Sequence, residues 1–137
     1  MENRNIDMAA LILRTSLGVM FIAHGLLKVM VFTLPGTVQF FDAMGFPGWM
    51  AYVVTFAEIA GGIALVAGIY TRQIAMALVP VLIGALYVHS GNGWVFTSEN
   101  GGWEYPLFLV SATVVQALLG PGRYVVRLPA SQRVVTT

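Results

Sequence analysis

The chain has 137 residues, of which 58% are hydrophobic and 9% charged, with a net charge of +1 and no cysteine. A soluble domain carries about 25% charged residues, so the surplus apolar surface here has to face a bilayer rather than water. The small net charge excludes a nucleic-acid footprint, and the lack of cysteine excludes disulfides, thiolate metal sites, iron–sulfur clusters and thiol chemistry by the chain itself.

Taken in chain order, the first apolar stretch does not read as a cleaved leader. Glu2 and Asp7 dilute a basic start, Arg14 interrupts the apolar run, and no small-residue cleavage site follows. The segment is expected to be retained as the first of four membrane spans, near residues 8–31, 49–70, 73–90 and 103–120. Residues 32–48 form a Gly- and Pro-rich loop with room for a short helix at 37–44. Residues 70–73, "YTRQ", make a tight turn. Pro80 sits inside the third span and predicts a kink, eased by Gly84 one turn on. Residues 90–102 form a polar, Gly-rich loop, and the tail over 121–137 leaves the last span through "GPGR". The expected fold is therefore all-α: one integral membrane four-helix bundle spanning 1–137 as a single domain.

Orientation follows from the basic residues. With four spans, Arg4, Arg72, Arg123, Arg127 and Arg133 all fall on one side, which places both termini in the cytoplasm. The opposite loops carry Asp42, Glu99 and Glu104, with Lys28 at their boundary. Aromatic residues crowd that outer edge, including Phe41, Phe46, Trp49, Tyr87, Trp94 and Trp103. They form either an interfacial belt or a lid made by the two outer loops.

A helix turns about 100° per residue, and on that wheel Arg14, Gly18, Phe21, Gly25 and Lys28 share one arc of span one. His24 lies beside that arc, and Ile12, Val19, Met20, Ala23, Leu26, Leu27 and Met30 form the oily back. Glycines on the polar front admit a neighbouring helix, so this front faces the bundle. Span two supplies Glu58, with Gly61, Gly62 and Leu65 on its face, and an unpaired carboxylate at that depth is costly. Arg14 and Glu58 form a candidate structural ion pair, and His24 is an alternative partner. His89 ends span three, and Glu104 opens span four, where a helix N-terminus favours an anion.

His24, Lys28, Glu58, His89 and Glu104 are thus candidates for one ligand-binding polar pocket in the outer half, with no metal-ligand set among them. Each also has a plainer role. Lys28 reaches the headgroups, Glu104 caps its helix, and each histidine hydrogen-bonds inside the core.

These motifs resemble the DoxX family of small four-helix membrane proteins. The matching pieces are "LRTSLGVMFIAHGLLKV" (13–29), "GFPGWMAYVVTFAEIAGGIALVAGIYTR" (45–72), "HSGNGWVF" and "GGWEYPLFL" within 89–109, and "GPGRY" (120–124). The resemblance covers about residues 8–124 and puts the family pattern on Arg14, His24, Lys28, Glu58, Gly61, Gly62, Arg72, His89, Glu104 and Tyr105. It implies a multi-pass protein of the bacterial inner membrane. The family name comes from a subunit associated with a terminal quinol oxidase, and a sister branch resembles the membrane part of thiosulfate:quinone oxidoreductase. Other members are described as partners of superoxide dismutase and a sulfurtransferase, and most have no assigned activity. No catalytic residue is carried over.

Three functions compete. In a quinone-linked redox role, His24 and His89 would bond the quinone carbonyls, Glu58 or Glu104 would pass protons, and Lys28 would stabilise an anion. The electrons then need another subunit, because the chain shows no flavin or iron–sulfur motif. Quinone is the one cofactor this reading suggests. Axial haem ligation by the two histidines is disfavoured, since His89 lies at the span's edge. The second function is a non-catalytic anchor for soluble redox enzymes, docked on the basic tail. The third is a small-molecule carrier, for which four spans are few and a homo-oligomer is expected.

Overall fold

The computed structural model describes residues 2–129 of the chain, with the side chain of Glu2 excepted; Arg133, expected in the cytoplasmic tail, lies outside the described residues. Five helices follow in order: α1 (Glu2–Met30), α2 (Leu34–Ala43), α3 (Met50–Ala67), α4 (Thr71–His89) and α5 (Glu104–Leu119). No strand occurs among the described residues. α1, α3 and α4 are long and apolar enough to cross a membrane, and α5 is a shorter apolar helix of 16 residues.

The core joins Leu17 and Phe21 of α1, Leu65 of α3, Ala75, Leu78 and Leu82 of α4, and Leu109 and Ala117 of α5. α3 lies between α1 and α4, and its two adjacent glycines serve one neighbour each. A Cβ on Gly62 would stand 2.7 Å from the carbonyl oxygen of Gly18, and one on Gly18 would stand 2.6 Å from that of Gly62, so the two backbones touch. Gly61 instead meets Leu78 and Ile74 of α4. Backbone contact of this kind raises dispersion attraction where lipid removes the hydrophobic drive for helix association. The α1–α3 interface is accordingly the most extensive in the molecule.

The oily back of α1 points outward: Ile12, Val19, Ala23, Leu26, Leu27 and Met30 are exposed, whereas Arg14, Gly18, Phe21 and Gly25 are buried. Two expectations about element limits need correction. α2 begins at Leu34, earlier than 37, because the Thr33 hydroxyl accepts from Gly36 N at 3.2 Å and proline stands in the first turn. The turn between α3 and α4 lies at Gly68–Tyr70 rather than 70–73, and Arg72 already belongs to α4. α4 runs on through Pro80 as one helix.

α3 ends in a Schellman motif. Gly68 adopts the left-handed conformation (φ 79°, ψ 26°), Ile69 N donates to Ala64 O, and Gly68 N to Leu65 O. The last carbonyls find partners elsewhere. Arg14 donates to Leu65 O and Val66 O, and Val126 N donates to Ala67 O at 2.9 Å. Residues 121–128 therefore form a strap laid across the end of α3. At the same end Arg72 of α4 reaches Ala117 O of α5 at 3.4 Å, and Arg123 stands 4.0 Å from Asp7 of α1.

Candidate functional site

The polar front of α1 divides into two stations, one at Arg14 near the middle of the helix and one at Lys28 near its C-terminus. At the first station Arg14 is 1% exposed, and its guanidinium donates to Leu65 O (3.2 Å), Val66 O (2.5 Å), Pro121 O (3.1 Å) and Tyr124 O. All four acceptors are backbone carbonyls. The expected Arg14–Glu58 pair is therefore not formed.

The reason is helix register. α1 and α3 are antiparallel with Gly18 against Gly62 and Gly25 against Ile59, so Glu58 is level with the stretch just beyond Gly25. Arg14 lies eleven residues back along α1 from Gly25, roughly 16 Å at 1.5 Å per residue. It meets the C-terminus of α3 instead, where free carbonyls and the negative end of the helix dipole favour a cation.

At the second station Lys28 Nζ lies 2.8 Å from Glu58 Oε2. Glu58 is 6% exposed, and the Lys28 side chain is 18% exposed. Desolvating two charges is costly, and a close, hydrogen-bonded pair is the arrangement that offsets the cost. α2 closes over this station. Buried Thr37 donates to Thr33 O at 2.8 Å and lies 3.4 Å from Lys28 O, which ties α2 to the end of α1. Buried Thr55 lies one turn before Glu58 on the same face and bonds Ala51 O at 2.7 Å. Neither threonine figures among the residues singled out from the sequence. Thr55 was detectable there, since i and i−3 share a helix face.

His24 lies one helical turn before Lys28 on α1 and is partly buried. Its Nδ1 contacts Met20 O at 2.9 Å. If Nδ1 carries the proton, Nε2 is left as an acceptor. The Tyr105 hydroxyl of α5 donates to the Met20 sulfur, so α5 also reaches this part of α1.

His89 and Glu104 take different places. His89 Nδ1 contacts Ala85 O at 2.7 Å, and its ring edge packs against Gly101. Glu104 Oε1 accepts from Phe96 N at 3.0 Å. Both brace the loop over residues 90–103, whose ends pair through Trp103 N to Gly93 O and Glu104 N to Trp94 O, with Trp94 edge-on to Trp103. Among the described residues neither bonds to the Lys28–Glu58 pair. The loop between α2 and α3 reaches α4 through Phe46, edge-on to Tyr87.

Two concave surfaces lie away from the pair. One, of about 470 Å³, runs between Met44–Phe46 and Pro80, Ile83, Gly84 and Tyr87 of α4. The other, of about 330 Å³, lies between the α3–α4 turn and the strap.

Similarity to known proteins extends over these same elements. The DoxX family model matches residues 9–91, which include α1 through α4 and the Lys28–Glu58 station. Among curated proteins, the chain is 37% identical over 84 residues to "Putative oxidoreductase CatD" of Bacillus subtilis (strain 168), a match covering 61% of each chain. It is 30% identical over 124 residues to "Inner membrane protein YqjF" of Escherichia coli (strain K12), covering 86% of this chain and 88% of that one. An uncharacterized protein of Bacillus subtilis (strain 168), YdgD, is 31% identical over 86 residues, 60% of this chain and 74% of that one. No solved structure matches. The chain belongs to the DoxX family. With three helices long and apolar enough to span, it fits a multi-pass protein of the cytoplasmic membrane.

Proposed function

We propose that this DoxX-family chain is a membrane subunit of a quinone-linked redox system, crossing the bilayer four times with both termini in the cytoplasm. The observation that carries the reading is the buried Lys28–Glu58 pair with His24 one helical turn before Lys28, in the half of α1 away from its N-terminus. A structural ion pair needs no titratable neighbour, and intramembrane ionisable groups are by default functional. The name of the relative CatD, a putative oxidoreductase, points the same way.

In this reading His24 orients a quinone carbonyl, and Glu58 carries the proton that each reduction step consumes. Lys28 holds the negative charge that appears before that proton arrives. Reduction of a quinone to a quinol takes two electrons and two protons. The chain has no cysteine and would receive the electrons from a partner subunit with its own redox group. The site is centred on His24, Lys28 and Glu58, while His89 and Glu104 hold the loop that covers the outer end.

The test is quantitative extraction of quinones from protein purified in mild detergent. Quinone should co-purify with the wild type and fall severalfold with His24→Ala and Glu58→Gln. Quinone no higher than in an unrelated four-span protein would overturn the proposal.

The alternative anchor role rests on Arg123, whose side chain is 73% exposed on the strap. It predicts that Arg123→Glu abolishes partner capture while Glu58→Gln leaves it intact.

A further inference from the structure

The groove between the α3–α4 turn and the strap has a composition that the quinone reading does not use. Ile69, Val125 and Val126 make an apolar wall, and the Tyr70 ring and the Arg127 side chain are exposed at its edge. Gly68 lies in its lining. A Cβ there would stand 3.1 Å from Arg14 Cζ, so the buried guanidinium lies directly beneath.

That guanidinium bonds carbonyl oxygens alone, and among the described residues no carboxylate lies within ion-pair distance of Arg14 or Arg127. Arginine stays charged at any physiological pH. The groove thus has an apolar wall at Ile69, Val125 and Val126 and carries two positive charges, one below and one at the rim. It also lies where the helices end. α3 stops at Ala67 and α4 starts at Thr71, and a helix turn holding tyrosine and arginine sits at headgroup level in a bilayer.

We infer that this groove binds one anionic phospholipid, its acyl chain along Ile69, Val125 and Val126 and its phosphate at Arg127 above the buried charge of Arg14. Charge complementarity selects an anionic over a zwitterionic headgroup, and the apolar wall selects a lipid over a free anion. The Tyr70 hydroxyl is a second donor at the rim.

Delipidated protein in mild detergent is titrated with phosphatidylglycerol and with phosphatidylcholine of the same acyl chains, and retained lipid is counted by native mass spectrometry. The wild type should retain phosphatidylglycerol at least about fivefold better than phosphatidylcholine, as one arginine at a lipid surface supplies. Arg127→Gln should erase that preference. Arg4→Gln, the same charge change on α1 outside the groove, should leave it intact. Ile69→Trp, which fills the groove, should lower retention of both lipids. A preference that survives Arg127→Gln, or that Arg4→Gln removes equally, would overturn the inference. So would displacement of phosphatidylglycerol by inorganic phosphate alone.

Discussion

A buried guanidinium that bonds only carbonyl oxygens has a specific dependence on its fork. Arg14 uses Nε and both terminal nitrogens on two separate segments, the end of α3 and the strap. Lysine keeps the charge but presents one nitrogen, so Arg14→Lys cannot hold both segments. With two or more charge-assisted bonds lost, the variant should be less stable by roughly 2–4 kcal/mol. The strap should loosen first. Limited trypsin digestion would read this as faster cleavage after Arg123, ahead of any change in global melting. The Lys28–Glu58 station makes a separate prediction. Lys28→Met leaves Glu58 buried without its partner and should cost about 3–5 kcal/mol, read as a lowered melting temperature in detergent. Lys28→Met with Glu58→Leu should recover most of that loss, since two apolar side chains leave no charge to desolvate.

At the scale of the element, the wheel of α1 was legible and its axial position was not. A 3.6-residue period fixes which residues face inward, and the buried set of Arg14, Gly18, Phe21 and Gly25 follows it. Nothing in that period says which residue of α3 lies opposite. Gly18 against Gly62 sets the register, and many small residues in α3 offered competing registers, among them Ala57, Ala60, Ala64 and Gly68. This is why Lys28 rather than Arg14 finds Glu58. The start of α2 was read three residues late, although Thr33 and Pro35 carry a cap and a first-turn proline. The roles of His89 and Glu104 were not legible, because a loop's hairpin contacts leave no periodic trace. The glycines also give a contrast to measure. Gly18→Ala would drive a methyl to 2.6 Å from a backbone oxygen, so α1 and α3 must separate. Gly84, also in a helix, has nothing within 4 Å of the point where a Cβ would stand, so Gly84→Ala should be neutral or gain up to about 1 kcal/mol of helix propensity. Melting temperatures in one detergent should fall by several degrees for Gly18→Ala and hold or rise for Gly84→Ala.

At the scale of the whole molecule, α5 is the weakest candidate span, and the chain after it bears on the topology. Its 16 residues make roughly 24 Å of helix against a hydrocarbon core of about 30 Å. Length alone would allow α5 to stop short. Yet Pro121 and Tyr124 are bound by Arg14, Val126 by Ala67, and Arg123 lies near Asp7, so the chain leaving α5 returns to the end of the molecule where α1 begins. An even number of crossings follows if α1, α3 and α4 span, and in the proposed orientation that shared end is cytoplasmic. The native chain has no cysteine, so single cysteines report cleanly. Asn100→Cys should react with a membrane-impermeant maleimide in intact spheroplasts. Arg4→Cys and Arg127→Cys should react only after permeabilisation. Reaction of Arg127→Cys from outside, with Arg4→Cys protected, would mean three crossings and would detach the strap from α1, contradicting the Arg14 contacts as well as the orientation.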